Sequence, residues 1–165
     1  MIRVLDSEEP VGVNEADLVE SIFKDGGNLM QVLDFEHRAE QTEMAMAVVD
    51  SLQNGTHLLF EAGTGVGKSL AYLIPSLIHA VHHKRPCVVA TNTINLQEQL
   101  LEKDIPAVRQ VFESDERYQP FSDFKCALLV GRANYLCTTR LNRALSGQAD
   151  FLDVSQRKEL ERIAE

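Results

Sequence analysis

The sequence predicts an α/β fold, a parallel sheet with flanking helices, and three observations predict it. Short apolar runs bounded by turn residues recur at His57–Phe60, Pro86–Asn92 and Lys125–Val130. Stretches with the apolar period of a helix lie between them. A glycine-rich turn joins the first run to the helix that follows. Short apolar strands alternating with amphipathic helices suit a sheet covered on both faces.

In chain order, residues 1–13 have no periodicity and read as a loose arm. Asn14–Phe23 forms a short helix with Asn14 as N-cap and Leu18, Ile22 and Phe23 on one face, ended by Gly26-Gly27. A longer helix runs from about Glu36 to Gln53, with Met44, Ala45, Val48, Val49 and Leu52 as its apolar stripe and Asn54-Gly55 as its stop. The first strand, His57–Phe60, leads through the glycine-rich turn into a helix from Lys68. That helix carries Leu70, Leu73, Ile74, Leu77, Ile78 and Val81, with Pro75 expected to kink it. Pro86–Asn92 is the second strand, Leu96–Lys103 the next helix and Lys125–Val130 the third strand. Residues 150–165 read as a polar helix started by Asp153 or Ser155.

The 165 residues suffice for one modest domain, and 44% hydrophobic with 25% charged side chains excludes wholesale disorder. No apolar run approaches the roughly 20 residues that span a bilayer. Met1–Glu9 turns acidic too early for a signal peptide, so a cytoplasmic location and no membrane partner are expected. The net charge of −9 is uneven. Residues 1–50 hold 3 basic and 12 acidic side chains, whereas 51–165 hold 13 of each. No acid lies between Asp123 and Asp150, where Lys125, Arg132, Arg140 and Arg143 fall. That stretch keeps nucleic acid open as a partner, and an ordinary solvated face accounts for it equally. Cys87, Cys126 and Cys137 show no pair spacing and argue against a disulfide framework. Cys87 and Cys126 sit in apolar runs and are expected to be buried thiols.

Ala62-Gly63-Thr64-Gly65-Val66-Gly67-Lys68-Ser69 matches the P-loop pattern, with Ala62 in the first small-residue slot. Alternating glycines let the backbone curl and aim N–H groups at phosphate oxygens, and the following helix N-terminus adds its own donors. Lys68 is expected to meet the β- and γ-phosphates, and Ser69 to offer its hydroxyl to Mg²⁺. A nucleoside triphosphate is the implied ligand, and the fold becomes a P-loop NTPase.

With its flanks, Glu61–Ser69 resembles motif I of superfamily 2 helicases, most closely the DinG/XPD branch of iron–sulfur DNA helicases with a RecA-like motor. Arg38 and Gln41, within Phe35–Gln41, resemble the element that reads adenine in that family. A side-chain amide suits this because it offers a donor and an acceptor to one base edge. Val88–Thr93 with Leu96–Leu100 resembles motif Ia. The resemblance implies single-stranded DNA contacts at Thr91, Asn92, Thr93 and Gln97, although a plain N-cap at Thr93 explains the same residues. Gly131-Arg132-Ala133-Asn134-Tyr135-Leu136-Cys137 resembles the entry to the iron–sulfur domain, which makes Cys137 the first of four [4Fe–4S] ligands and puts Arg132 on the DNA path.

The resemblance covers about residues 30–145. It divides the chain into an acidic N-terminal arm with a short helix (1–34), the N-terminal part of motor domain 1 (35–130) and a truncated start of the iron–sulfur domain (131–165). No acidic Asp-Glu-x-His box follows residue 69, and one thiolate cannot hold a cluster. The chain is therefore expected to be part of a longer, monomeric ATP-dependent DNA helicase of repair or replication, and by itself to bind nucleotide without efficient hydrolysis. Two other readings remain at this point: a different P-loop ATPase or kinase, and a non-enzymatic nucleotide-binding module.

Overall fold

The computed structural model describes residues 14–146 and 153–164. The arm expected over residues 1–13 lies outside them. Two compact units divide the chain, Met1–Cys126 and Ala127–Glu165.

In the first unit, the Asn14 side-chain oxygen accepts a hydrogen bond from the Ala16 N–H at 3.1 Å and caps helix α1, Glu15–Phe23. A short α2 (Asn28–Leu33) follows, then α3 (Ala39–Asn54), which ends at Gly55. Helix α4, Lys68–His82, runs straight out of the glycine-rich loop with Pro75 buried inside it. Helix α5 (Ile94–Gln99) continues through a π-helical turn, Leu100–Asp104, into α6, Ile105–Glu113. The Ile105 N–H reaches back to the Leu100 carbonyl, and Pro106 next to it has no N–H to give. The helix expected over Leu96–Lys103 is thus the middle of a longer helical run.

These helices bury one another. Val19 and Ile22 of α1, Ala45 of α3, Ile74 and Ile78 of α4, and Val108, Val111 and Phe112 of α6 form the core, with Tyr118 and Phe121 closing it. Burial of each large apolar side chain contributes about 1.5–3 kcal/mol. The Tyr118 hydroxyl lies 2.5 Å from Ser21 Oγ, so the one polar group of that fully buried ring is satisfied. Arg109 donates to the Ser122 and Phe124 carbonyls and stacks on the Phe124 ring, fixing the segment after α6.

Helix α1 is also tied to the end of α4. The buried Glu15 carboxylate faces His79, His82 and His83. Burial pushes this carboxyl up, but hydrogen bonds from His79 and His82 and the charges of His79 and His83 outweigh it and hold the group below its usual value.

The parallel sheet expected from the sequence is absent: the described residues contain no strand. Residues 57–60 and 86–92 make no backbone hydrogen bonds with one another, and residues 125–130 form no strand either. An apolar run supplies side chains for a sheet, but a strand exists only where a neighbour takes its N–H and C=O groups. Without that pairing the runs lie open, with Leu59 99%, Val88 86% and Leu129 82% exposed. Cys87 and Cys126 are exposed for the same reason, not buried as their apolar neighbours suggested.

In the second unit, a 3₁₀ turn at Arg132–Asn134 precedes α7 (Thr138–Leu145) and α8 (Val154–Ala164). The Tyr135 hydroxyl accepts from the Val130 N–H at 3.2 Å. Asp153 starts α8 as expected. Its carboxylate accepts from the Ser155 and Gln156 N–H groups, while the Gln156 side chain accepts from the Asp153 N–H, a reciprocal cap.

Candidate nucleotide site

The loop from Ala62 to Gly67 turns through two residues in the left-handed region, Gly65 at φ 82° and Gly67 at φ 84°. Side-chain-bearing residues adopt that region at a cost of about 1–2 kcal/mol, which explains glycine at both places. Gly67 is the N-cap of α4 and brings no side-chain cap of its own. The first-turn N–H groups of Lys68, Ser69 and Leu70 therefore point outward as donors, at the positive end of a fifteen-residue helix. Around Gly65 nothing stands within 4 Å of where a Cβ would be, so a ligand has room to approach the backbone.

Lys68 folds back over the loop, its Nζ donating to the Ala62 carbonyl at 2.9 Å and the Gly63 carbonyl at 2.7 Å. The ammonium thus sits at the mouth of the curl, within reach of a phosphate oxygen that replaces those carbonyls. Ser69 follows on the first turn, half-buried. Burial pushes the nearby Tyr72 hydroxyl up, and the Asp104 charge adds to this while the Ser69 hydroxyl opposes it.

Helix α3 clasps the loop from the other side. Gln41, 5% exposed, donates through Nε2 to the Gly67 carbonyl at 2.9 Å. Arg38 donates through its guanidinium to the Gly65 carbonyl. Both residues expected to read adenine thus lie against the phosphate loop. They line a recess of about 260 Å³ with Phe35, Ser69, Lys103 and Asp104. Lys103 and Asp104 escaped the sequence reading because a π-helical turn places them there, and no residue pattern announces such a turn. The Asp104 carboxylate accepts from Gln99 Nε2 at 3.1 Å.

The residues expected to touch DNA are more dispersed. Thr93 Oγ1 accepts the Leu96 N–H at 3.3 Å and caps α5, and Thr91 Oγ1 donates to the Thr93 carbonyl. Asn92 is exposed. Gln97 Oε1 is buried without a hydrogen-bond partner. Arg132 and Cys137 belong to the second unit, and both are exposed.

The curled loop, the helix terminus and Lys68 fit a triphosphate, and the Ser69 hydroxyl fits Mg²⁺. An iron–sulfur cluster does not fit these residues alone. Among the described residues the one group of three convergent ligands is Glu15, His79 and His83, and it includes no cysteine. No helix among those residues is long and apolar enough to cross a membrane.

Comparison with known proteins gives one consistent answer. The family model described as DEAD/DEAH box helicase matches residues 42–138, which contain the loop. An ATP-dependent DNA helicase YoaA of Haemophilus influenzae is 40% identical over 146 residues, 88% of this chain and 21% of the relative. An ATP-dependent helicase DinG of Mycobacterium tuberculosis is 42% identical over 123 residues, 74% of this chain and 18% of the relative. A Bacillus subtilis relative, named 3'-5' exonuclease DinG, is 35% identical over 119 residues, 72% of this chain and 12% of its own length. No solved structure matches the chain. The chain spans about a fifth or less of the relatives it matches, and it belongs to the DEAD/DEAH box helicase family, beside proteins named DinG and YoaA.

Proposed function

We propose that this chain is the nucleotide-binding part of an ATP-dependent DNA helicase, with Mg²⁺-ATP held by Ala62–Ser69. The observation that carries the reading is Lys68 Nζ, 2.7 to 2.9 Å from two carbonyls of a loop whose turn residues are left-handed glycines. Backbone N–H groups of Gly63, Thr64, Gly65, Val66 and Gly67 would cradle the phosphates, Lys68 would neutralise the terminal charge, and the Ser69 hydroxyl would hold Mg²⁺, which would supply further positive charge there. Arg38 and Gln41 bound the recess that takes the base. The names of the relatives support ATP and DNA as ligands of the whole protein.

The DNA is single-stranded where it meets Thr91, Asn92, Thr93, Gln97 and Arg132. The chain divides functionally at residues 34 and 130 into arm, motor part and second segment, and the protein acts in the cytoplasm. Cys137 is one thiolate of the four that a [4Fe–4S] cluster needs.

Titration of the purified chain with Mg²⁺-ATP tests the core of the reading. Hydrogen bonds to a charged group are worth about 1.5–3 kcal/mol, so Lys68→Ala should weaken binding about tenfold or more. In the whole protein the same substitution should abolish DNA-dependent ATP hydrolysis. Equal affinity of the two chains for Mg²⁺-ATP would sink the proposal.

A further inference from the structure

At the end of α4 away from the phosphate loop, three imidazoles converge on one buried carboxylate. Glu15, the first residue of α1, is 4% exposed. Its Oε2 lies 3.0 Å from His79 Nδ1, and its Oε1 lies 2.6 Å from His82 Nδ1 and 3.2 Å from His83 Nε2. No lysine or arginine pairs with it among the described residues. A carboxylate out of water needs a positive partner or several strong donors, and the sequence has put only imidazoles there.

We propose that Glu15, His79 and His83 bind a divalent transition-metal ion of the Zn²⁺ class, which pins α1 to α4. One donor atom from each of the three lies within 4.8 Å of the other two. Ligand atoms around tetrahedral Zn²⁺, with bonds of about 2.0–2.1 Å, stand about 3.3 Å apart, so the present spacing closes by small side-chain rotations. His79 and His83 are four residues apart with ring centroids 4.2 Å apart, the same-face spacing by which one helix offers two imidazoles to one ion. Two nitrogens and one carboxylate oxygen select Zn²⁺, Co²⁺ or Ni²⁺ over Mg²⁺ and Ca²⁺, which prefer oxygen throughout. His82 supplies the outer support, since its Nδ1 orients the carboxylate through the Oε1 contact. The fourth position falls to water. This site is separate from the Mg²⁺ position at Ser69, and its role is to hold the N-terminal helix in place.

The exposed thiols of Cys87, Cys126 and Cys137 would also take Zn²⁺, so the test uses the chain with all three changed to serine. After treatment with a chelator, this protein is titrated with ZnCl₂ and followed by calorimetry and thermal melting. Binding of one equivalent with a rise in melting temperature is expected, and His83→Ala should weaken the binding at least tenfold. His83 is exposed, so that variant keeps its fold and carries the test even if Glu15→Gln unfolds. Co²⁺ in place of Zn²⁺ should give the visible bands of a nitrogen- and oxygen-ligated ion, lost with His83→Ala. Absence of Zn²⁺ binding in the serine background, or affinity untouched by His83→Ala, would overturn the site and leave the cluster as a set of imidazole–carboxylate hydrogen bonds.

Discussion

The contact between Gln41 and Gly67 makes a quantitative prediction about what holds the phosphate loop in shape. Gly65 and Gly67 have nearly the same φ, 82° and 84°. Alanine at either position therefore carries the same backbone strain, about 1–2 kcal/mol. Both substitutions also remove the same flexibility from the unfolded chain, and that term cancels between them. The surroundings differ. At Gly65 a Cβ meets nothing within 4 Å, whereas at Gly67 it runs into the Gln41 side-chain amide. That amide must swing away and give up its 2.9 Å bond to the Gly67 carbonyl. One such bond is worth about 1 kcal/mol, so Gly67→Ala should cost about 1 kcal/mol more than Gly65→Ala.

For a chain of this size that difference corresponds to about 2–4 °C in melting temperature. Urea unfolding followed by far-UV circular dichroism, on both single variants and on Gly67→Ala combined with Gln41→Ala, reads the same difference as a cycle. In the Gln41→Ala background the cost of Gly67→Ala should fall to that of Gly65→Ala, leaving a coupling of about 1 kcal/mol. If Gly67→Ala costs the same in both backgrounds, Gln41 does not brace the loop, and the clasp of α3 on the loop is refuted.

Phe112 is fully buried against Phe121, with ring centroids 6.2 Å apart, so Phe112→Ala should destabilise by about 3–5 kcal/mol in urea unfolding; a loss under 1 kcal/mol would mean α6 is not part of the core. Thr93→Ala should cost about 1 kcal/mol through the lost cap of α5, read as earlier urea unfolding, and an unchanged midpoint would free the Thr93 hydroxyl for a ligand. Side-chain and backbone hydrogen bonds from Arg117 hold the Asp115 carboxyl at about 2, below its ordinary 3.8. Because the folded value is the lower one, the stabilisation is complete above 3.8 and disappears as pH falls towards 2; acid unfolding of Asp115→Asn should converge on the parent over that window, and a constant gap would contradict the assignment.

Local signals proved the most legible. Asn14 and Asp153 cap α1 and α8 as their side-chain chemistry suggests, and α3 ends at Gly55. The loop at 62–69 is recognisable because its chemistry resides in consecutive residues, each with a backbone reason to be there. The sheet was the failure. Runs such as Cys87–Ala90 encode a preference for burial, but pairing is a property of two segments, and nothing local to one of them reports whether the other is present. The same lack of partners turned Cys87 and Cys126 outward. Arg38 and Gln41 were recognised only through a resemblance, and their contacts with the loop span 27 and 26 residues, a separation that no local pattern encodes. The histidine cluster went unnoticed although His79 and His83 have ligand spacing, because their carboxylate stands 64 residues away from His79.

These contacts define what fixes the loop before any ligand arrives. In many phosphate loops one would look to the preceding strand for rigidity, but residues 57–60 make no ladder here. The constraint comes from α3 and α4 instead. Ala45 and Val49 on one helix, and Ile74 and Ile78 on the other, belong to one buried cluster, and the α3 turn that holds Arg38 and Gln41 is set by that packing. Arg38 then fixes the Gly65 carbonyl and Gln41 the Gly67 carbonyl, two points on either side of Val66. A loop anchored at two carbonyls has its intervening N–H groups oriented as well, since each peptide plane is rigid. Orientation of the phosphate donors is therefore a consequence of helix packing, and a substitution deep in the α3–α4 interface that touches no ligand should weaken nucleotide binding by misdirecting those N–H groups.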